Sequence, residues 1–277
     1  MNDPLFSVKD KICIVTGGMG QIGKNFVQEL YKREAKVAVF TSHVTPERVE
    51  KTFPAAEYDY DRLRVYAVDI NKKETINAAL DQMQELWGDA PDVLVNNAGI
   101  DTQPSAPPEV SGPFENFPEE VFREVVDVNL VGTFLCCQAV GARMVAAHKG
   151  GSIINIGSIY GMVSPIQDIY AYKKERTGVP FIKPVAYSAA KSGVYNLTRY
   201  LATYWGKSGI RVNTLTPAGV WRNTQDETFI KNFTERMPMG RMSQENEYNG
   251  SLIFLASQAS SFMTGSNLVV DGGWTAW

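Results

Sequence analysis

The feature that most restricts the fold is a series of seven short apolar runs, each stopping abruptly at polar or glycine residues. Ile12-Cys13-Ile14-Val15 leads into Thr16-Gly17-Gly18, Val37-Ala38-Val39-Phe40 into Thr41-Ser42, and Val65-Tyr66-Ala67-Val68 into Asp69. Val93-Leu94-Val95 leads into Asn96-Asn97, Ser152-Ile153-Ile154-Asn155-Ile156 into Gly157-Ser158, Ile210-Arg211-Val212-Asn213-Thr214-Leu215 into Thr216-Pro217, and Leu268-Val269-Val270 into Asp271-Gly272-Gly273. Runs with so little alternation suit strands buried on both faces. Helix-length stretches separate them, the first from about Ile22 to Arg33. Strands alternating with helices imply right-handed crossovers and a parallel sheet. The pattern predicts one α/β domain over residues 1–277, a doubly wound seven-stranded parallel sheet flanked by helices. A chain of 277 residues with 44% hydrophobic side chains can fill one such core.

Other features exclude whole classes of partner. The 27 basic and 30 acidic side chains nearly balance, and no basic face suited to nucleic acid stands out. The one basic run, Lys173-Lys174 with Arg176, contains Glu175 and is expected to be a solvated surface. Residues 1–10 do not resemble a signal peptide, and no segment is expected to span a bilayer. Cys13, Cys136 and Cys137 form no disulfide framework, so a cytoplasmic location is expected. His43 and His148 lie outside metal-ligand spacing, and no metal site is expected; His148, before Lys149-Gly150, is read as a helix end. Three connections are unusually long, Ser42 to Leu63, Ile100 to Pro118 and Tyr160 to Pro184. Long loops in compact domains are often functional.

In a doubly wound sheet, ligands bind at the carboxyl ends of the strands, where the glycine and polar signals of this chain fall. Thr16-Gly17-Gly18-Met19-Gly20-Gln21-Ile22-Gly23 links the first strand to the first helix. Glycines there let the backbone approach a pyrophosphate, and the helix N-terminus offers unpaired N–H groups. The turn therefore predicts a Rossmann-type dinucleotide site. An acidic residue ending the second strand would hold the adenosine ribose and favour NAD. Thr41, Ser42 and His43 stand there instead, with Arg48 nearby, which favours NADP over NAD.

Four signals in order resemble the short-chain dehydrogenase/reductase family. They are the glycine turn, Asn96-Asn97-Ala98-Gly99 after the fourth strand, Asn129 in Val128-Asn129-Leu130-Val131-Gly132, and Ser158 with Tyr187-Ser188-Ala189-Ala190-Lys191. The closing Val270-Asp271-Gly272-Gly273 is also typical. The likeness implies that Asp69 and Ile70 meet the adenine, and that Asn97, Ala98 and Gly99 line the cofactor near its ribose. It also implies that Pro217, Gly219 and Val220 face the nicotinamide. Three departures stand out. Gln21 occupies a glycine position, so the glycines fall at Gly17, Gly20 and Gly23, as in epimerase and dehydratase members. Ala218 stands where glycine is usual, and Ser158 lies farther from Tyr187 than in typical members.

Tyr187 and Lys191, four residues apart, share one face of a helix. A free phenol is a poor base at neutral pH, and an adjacent ammonium favours its phenolate. The resemblance implies that Tyr187 exchanges a proton with the substrate oxygen and that Lys191 lowers the phenol's pKa and binds the nicotinamide ribose. It further implies that Ser158 hydrogen-bonds the same oxygen and that Asn129 holds a relay water. Hydride passes between substrate carbon and cofactor.

The loop from Tyr160 to Pro184 begins near Ser158 and ends near Tyr187, so it should border the substrate. Its Tyr160, Gln167, Asp168, Tyr170, Tyr172, Lys173 and Arg176 suit a polyhydroxylated small-molecule substrate better than a steroid or fatty chain, and the stretch, Ser158-Ile159-Tyr160-Gly161 above all, resembles family members acting on sugars or sugar acids. The alternatives are a nucleotide-sugar epimerase or dehydratase, disfavoured by a chain ending at Trp277, and a dinucleotide-binding regulator without turnover. The family resemblance implies a homo-oligomer, dimer or tetramer, through helices near Val121–Ala147 and Val185–Lys207. Phe134, Leu135, Val194 and Leu197 are candidates for core or interface, and the tail from Trp274 to Trp277 is a candidate subunit contact.

Overall fold

The computed structural model describes residues 3–277. After a single 3-10 turn at Pro4–Phe6 come β1 (Ile12–Thr16), α1 (Gln21–Lys32), β2 (Lys36–Thr41), α2 (Pro46–Thr52), β3 (Leu63–Ala67), α3 (Lys73–Trp87) and β4 (Val93–Asn96). A long helical rod follows, α4 (Glu119–Val126) and α5 (Gly132–Ala147), joined by a π-helical turn at Asp127–Val131. Next come β5 (Gly151–Ile156), the short α6 (Ile159–Met162) and α7 (Tyr172–Thr177), and α8 (Val185–Trp205). β6 (Ile210–Pro217), α9 (Glu227–Thr234), α10 (Asn249–Ala256) and β7 (Asn267–Val270) complete the fold.

All seven strands pair in parallel, in the order β3-β2-β1-β4-β5-β6-β7. Successive side chains of a strand point to opposite faces, and in β1 both faces are apolar. Ile12 and Ile14 enter the core beneath α3, α5 and α8, while Cys13 and Val15 enter the core beneath α1 and α10. That double burial is why the runs lack alternation. The strand order reverses between β1 and β4, which opens a crevice above their carboxyl ends.

Three expectations are corrected. The connection from Ser42 to Leu63 contains α2, started by Pro46 and capped by the Thr45 side chain. The rod Glu119–Ala147 is long and apolar enough to cross a membrane by length and composition, contrary to the expectation that no segment is. Half of its most apolar stretch is buried in the molecule, with Cys136, Val140 and Met144 in the core. Trp274, expected in a subunit contact, is buried in its own chain, its ring stacked on Phe233 at 4.3 Å. Asp271 makes this possible by accepting from the backbone of Gly273 and Thr275 and turning the tail inward. The basic run is exposed at Lys174, Glu175 and Arg176, as expected of a solvated surface; Arg176 also pairs with Asp226 at 2.8 Å, and Lys173 and Arg176 lie over the Tyr172 ring.

His148 ends α5 in a left-handed conformation, as expected of a helix end. The three cysteines are free and buried. Val194 is buried, Leu135 and Leu197 pack against the core beneath α3, α5 and α8, and Phe134 is exposed. The connection from Tyr160 to Pro184 carries a small core of its own. Tyr160, Ile169, Tyr170 and Phe181 pack with Phe233 of α9, Met237 and Trp274, away from both faces of the sheet.

Candidate active site

A cleft of about 990 Å³ opens over the carboxyl ends of the strands. Its floor at the switch point is built by hydrogen bonds. Thr16 Oγ1 accepts from the backbone of Asn97 and Ala98, and Asn97 Nδ2 donates to the carbonyls of Thr16 and Gly17. The Asn96–Gly99 segment thus ties the end of β1 to the end of β4. Gly17 has φ +61°, and Gly23 packs so closely that a Cβ on it would lie 2.3 Å from the Gly17 carbonyl oxygen. Gly20 precedes α1 with no side chain capping it, so the helix's first N–H groups face the cleft. These features fit a dinucleotide: a cradle that side chains would fill, and a helix N-terminus aimed at its phosphates.

Gly17, Gly20, Gln21, Ile22, Thr41, Ser42, Asp69 and Ile70 line the cleft, as do Asn97, Ala98, Gly99, Pro217, Gly219 and Val220. Ser158, Tyr187 and Lys191 line it too. Three of the candidates do not. Gly23 stands behind the turn it permits. His43 turns aside, its ring 2.8 Å from Ser42 Oγ and its carbonyl accepting from Arg48 Nη1, and Arg48 itself lines the cleft. Asn129 is fully buried, its side chain accepting from Ile100 N at 2.9 Å and donating to Ile100 O at 2.8 Å. The π turn that presents it leaves the Asn129 carbonyl to Thr133 Oγ1. Gln21 does more than replace a glycine. Its Nε2 donates to the Trp221 carbonyl at 3.0 Å and its Oε1 accepts from Arg222 Nε, tying the glycine turn to the loop after β6.

Ser158, Tyr187 and Lys191 converge because α6 lies directly on α8. Gly161 allows this approach, since a Cβ there would lie 2.8 Å from the Lys191 backbone. Ser158 caps α6, its Oγ accepting from Tyr160 N at 3.1 Å. Tyr195 of α8 fixes the Ser158 backbone, its hydroxyl accepting from Ser158 N and donating to Ser158 O. Lys191 is buried, Nζ donating to the Ile156 carbonyl at 2.7 Å and lying 5.8 Å from the centre of the Tyr187 ring. Burial brings the Lys191 ammonium down to about 8, while the Asp101 carboxylate acts in the opposite sense. Burial pushes the Tyr187 phenol well up, Asp101 adds to this, and the Ser158 hydroxyl offsets part of it.

From the long loop, Tyr160, Tyr170, Tyr172 and Lys173 reach the cleft. Gln167, Asp168 and Arg176 do not; Gln167 instead holds the backbone of Lys183. Sequence reasoning overlooked Asp101 and Lys183, which line the cleft and pair at 2.5 Å, and Asp226 and Phe229 at its rim. No spacing signals a pair whose partners come from two different loops.

A doubly wound sheet with a dinucleotide cradle, and a serine, tyrosine and lysine converging beside it, defines a nicotinamide-dependent oxidoreductase acting on CH–OH groups. The sequence matches the short chain dehydrogenase family model over residues 11–174 and the enoyl-(acyl carrier protein) reductase model over residues 171–275. The chain belongs to the short-chain dehydrogenase/reductase family. It is 34% identical to the 2-dehydro-3-deoxy-D-gluconate 5-dehydrogenase of Bacillus subtilis, across 97% of this chain and 96% of that one. A short chain dehydrogenase from Leptospira borgpetersenii with bound NAD+ is 33% identical and superposes with a TM-score of 0.82, over 99% of this chain and 96% of that one. A gluconate 5-dehydrogenase from Burkholderia cenocepacia, in complex with NADP and tartrate, is 28% identical with a TM-score of 0.82, over 99% and 98%.

Proposed function

We propose that this enzyme interconverts a secondary alcohol and a ketone in a sugar, sugar acid or polyol, with Tyr187 as proton carrier. The observation carrying the substrate reading is the cleft wall near Tyr187. Tyr160, Tyr170, Tyr172, Lys173, Asp101 and Lys183 offer hydroxyls, aromatic faces and both charges there. The sugar-acid activities named for the Bacillus and Burkholderia relatives support it.

In the oxidative direction, Tyr187 as phenolate takes the proton of the substrate hydroxyl. Ser158 donates to the same oxygen; the backbone N–H of Tyr160 occupies one Oγ lone pair and leaves the hydroxyl proton for substrate. The Lys191 ammonium favours the phenolate and reaches the nicotinamide ribose. When bound, nicotinamide accepts or supplies the hydride at the carbinol carbon. Asn129 fixes Ile100 and keeps one amide proton and one lone pair for a relay water. Gly17, Gly20 and the start of α1 receive the pyrophosphate, and Asp69 and Ile70 the adenine.

We favour NADP. The end of β2 carries no carboxylate, and Thr41, Ser42 and Arg48 line the cleft there, able to donate to a 2′-phosphate. We also propose a cytoplasmic location, supported by the free buried thiols, and a homo-oligomer. The deciding experiment follows absorbance of reduced nicotinamide while sugars, sugar acids and polyols compete with lipophilic ketones and alcohols. Faster turnover of the carbohydrates is expected. Preference for the lipophilic set overturns the substrate reading.

A further inference from the structure

Beside Tyr187 the cleft carries a charge pair that proton and hydride transfer do not use. Lys183 is only 6% exposed, and its Nζ donates to Asp101 Oδ2 at 2.5 Å and to the Thr102 carbonyl at 2.9 Å. Two of its three N–H groups are thereby used. Asp101 Oδ1 is closed off from solvent, and no protein donor reaches it. Lys183 Nζ lies 5.7 Å from the centre of the Tyr187 ring, as near as Lys191 Nζ at 5.8 Å.

Both members are set in place from outside the pair. Gln167 Oε1 accepts from Lys183 N at 2.9 Å, and Gln167 Nε2 donates to Lys183 O at 3.1 Å. Asn129 clamps Ile100, the residue before Asp101, by both backbone atoms. A bridge that served only to join two loops would satisfy both carboxylate oxygens, because an unpaired buried acceptor is costly. Here one carboxylate oxygen and one ammonium proton are left over, in two residues that line the substrate cleft. The Asp101 charge is felt by Tyr160, Tyr187 and Lys191, so it faces the site.

We infer that Asp101 and Lys183 form a subsite that reads a second hydroxyl of the substrate, next to the reacting carbon. The remaining Lys183 N–H donates to the oxygen of that hydroxyl or to a neighbouring carboxylate, and Asp101 holds the ammonium in place for it. The substrate is then a vicinal diol or α-hydroxy acid. This deepens the carbohydrate reading and rests on it.

The test compares gluconate, threitol and glycerol with isopropanol, which offers a secondary alcohol and nothing else. The readout is the ratio of kcat/KM for the best polyhydroxylated probe to that for isopropanol. A site built to hydrogen-bond a hydroxyl should hold this ratio at roughly 10²-fold or more. In Asp101→Asn and Lys183→Met the ratio should fall by about 10-fold or more, mainly through KM of the polyol. Lys183→Gln, which keeps a donor, should lose less than Lys183→Met. Fluorescence titration with reduced nicotinamide checks that each variant is folded. If Asp101→Asn fails that check, the two Lys183 variants carry the test. A wild-type preference for the polyol that survives these substitutions overturns the subsite alone, as does a fall shared equally by all probes. A wild-type preference for isopropanol, or no turnover of any polyhydroxylated probe, overturns the carbohydrate reading and the subsite with it.

Discussion

Tyr187 and Lys191 sit one helical turn apart, and burial moves their proton affinities in opposite directions. It raises the phenol and brings the ammonium down to about 8. A buried phenol by itself is a worse base than one in water, so Tyr187 depends on what surrounds it. Tyr187→Phe keeps the ring and removes the transferable proton. Turnover should fall about 10²–10⁴-fold, the usual worth of general acid–base catalysis, with cofactor affinity retained in a fluorescence titration. Near-normal turnover would remove Tyr187 from the reaction centre. Lys191 makes a separate prediction about pH. Because its folded pKa lies below the ordinary 10.5, its charge is complete below about 8 and is lost above it. The support it gives the phenolate follows the same course. The kcat/KM profile for alcohol oxidation should therefore bend near pH 8. Lys191→Met should abolish that bend and lower the rate at neutral pH by about 10²-fold. A variant profile bending at the same pH would assign the ionisation to another group.

At the scale of elements, legibility follows locality. The seven strands could be read because each is buried on both faces, which leaves an uninterrupted apolar run in the sequence. The glycine turn, Asn97 and the Tyr187–Lys191 pair could be read because their partners are near in sequence or lie at a strand end. The π turn at Asp127–Val131 could not, since a helix with one extra residue keeps the composition of a helix. The small core around Tyr170 and Phe181 could not either, because α9 and Trp274 complete it from far along the chain. The junction of β1 and α1 allows a direct test. Gly23→Ala would put a carbon 2.3 Å from Gly17 O and 2.6 Å from Asn97 Nδ2, so α1 must shift away from the phosphate cradle. Cofactor Kd should rise at least about 10-fold, with a stability loss of roughly 1–3 kcal/mol from overpacking. Gly88→Ala is the control. Its φ is +73° and nothing lies within 4 Å, so only backbone strain is added. It should cost roughly 1–2 kcal/mol and leave cofactor binding unchanged. Equal effects of the two on Kd would show that crowding at the turn is not what shapes the site.

For the whole molecule, the remaining question is what covers its exposed aromatic groups. Tyr200 and Tyr204 stack on the outer face of α8 at 62% and 67% exposure, and Phe134 on α5 is 42% exposed. At the far end of the sheet, Phe262 is fully exposed in the turn leading to β7, and Val269 on that edge strand is 37% exposed. Single apolar residues at a surface need no explanation, but stacked aromatics on a helix face and an uncovered strand edge do. The first region belongs to helices α5 and α8, the second to the turn before β7 and to β7 itself. One self-complementary face closes a dimer, and two independent faces closing by two-fold axes give a tetramer. Sedimentation equilibrium should therefore find a dimer or tetramer. Tyr204→Asp combined with Phe134→Asp should break the helical interface and halve the mass, and Phe262→Asp should act only on the other one. None of these residues lines the cleft, so cofactor affinity should hold in each variant. A wild-type chain that sediments as a monomer would mean that the stacked tyrosines and the β7 edge face solvent.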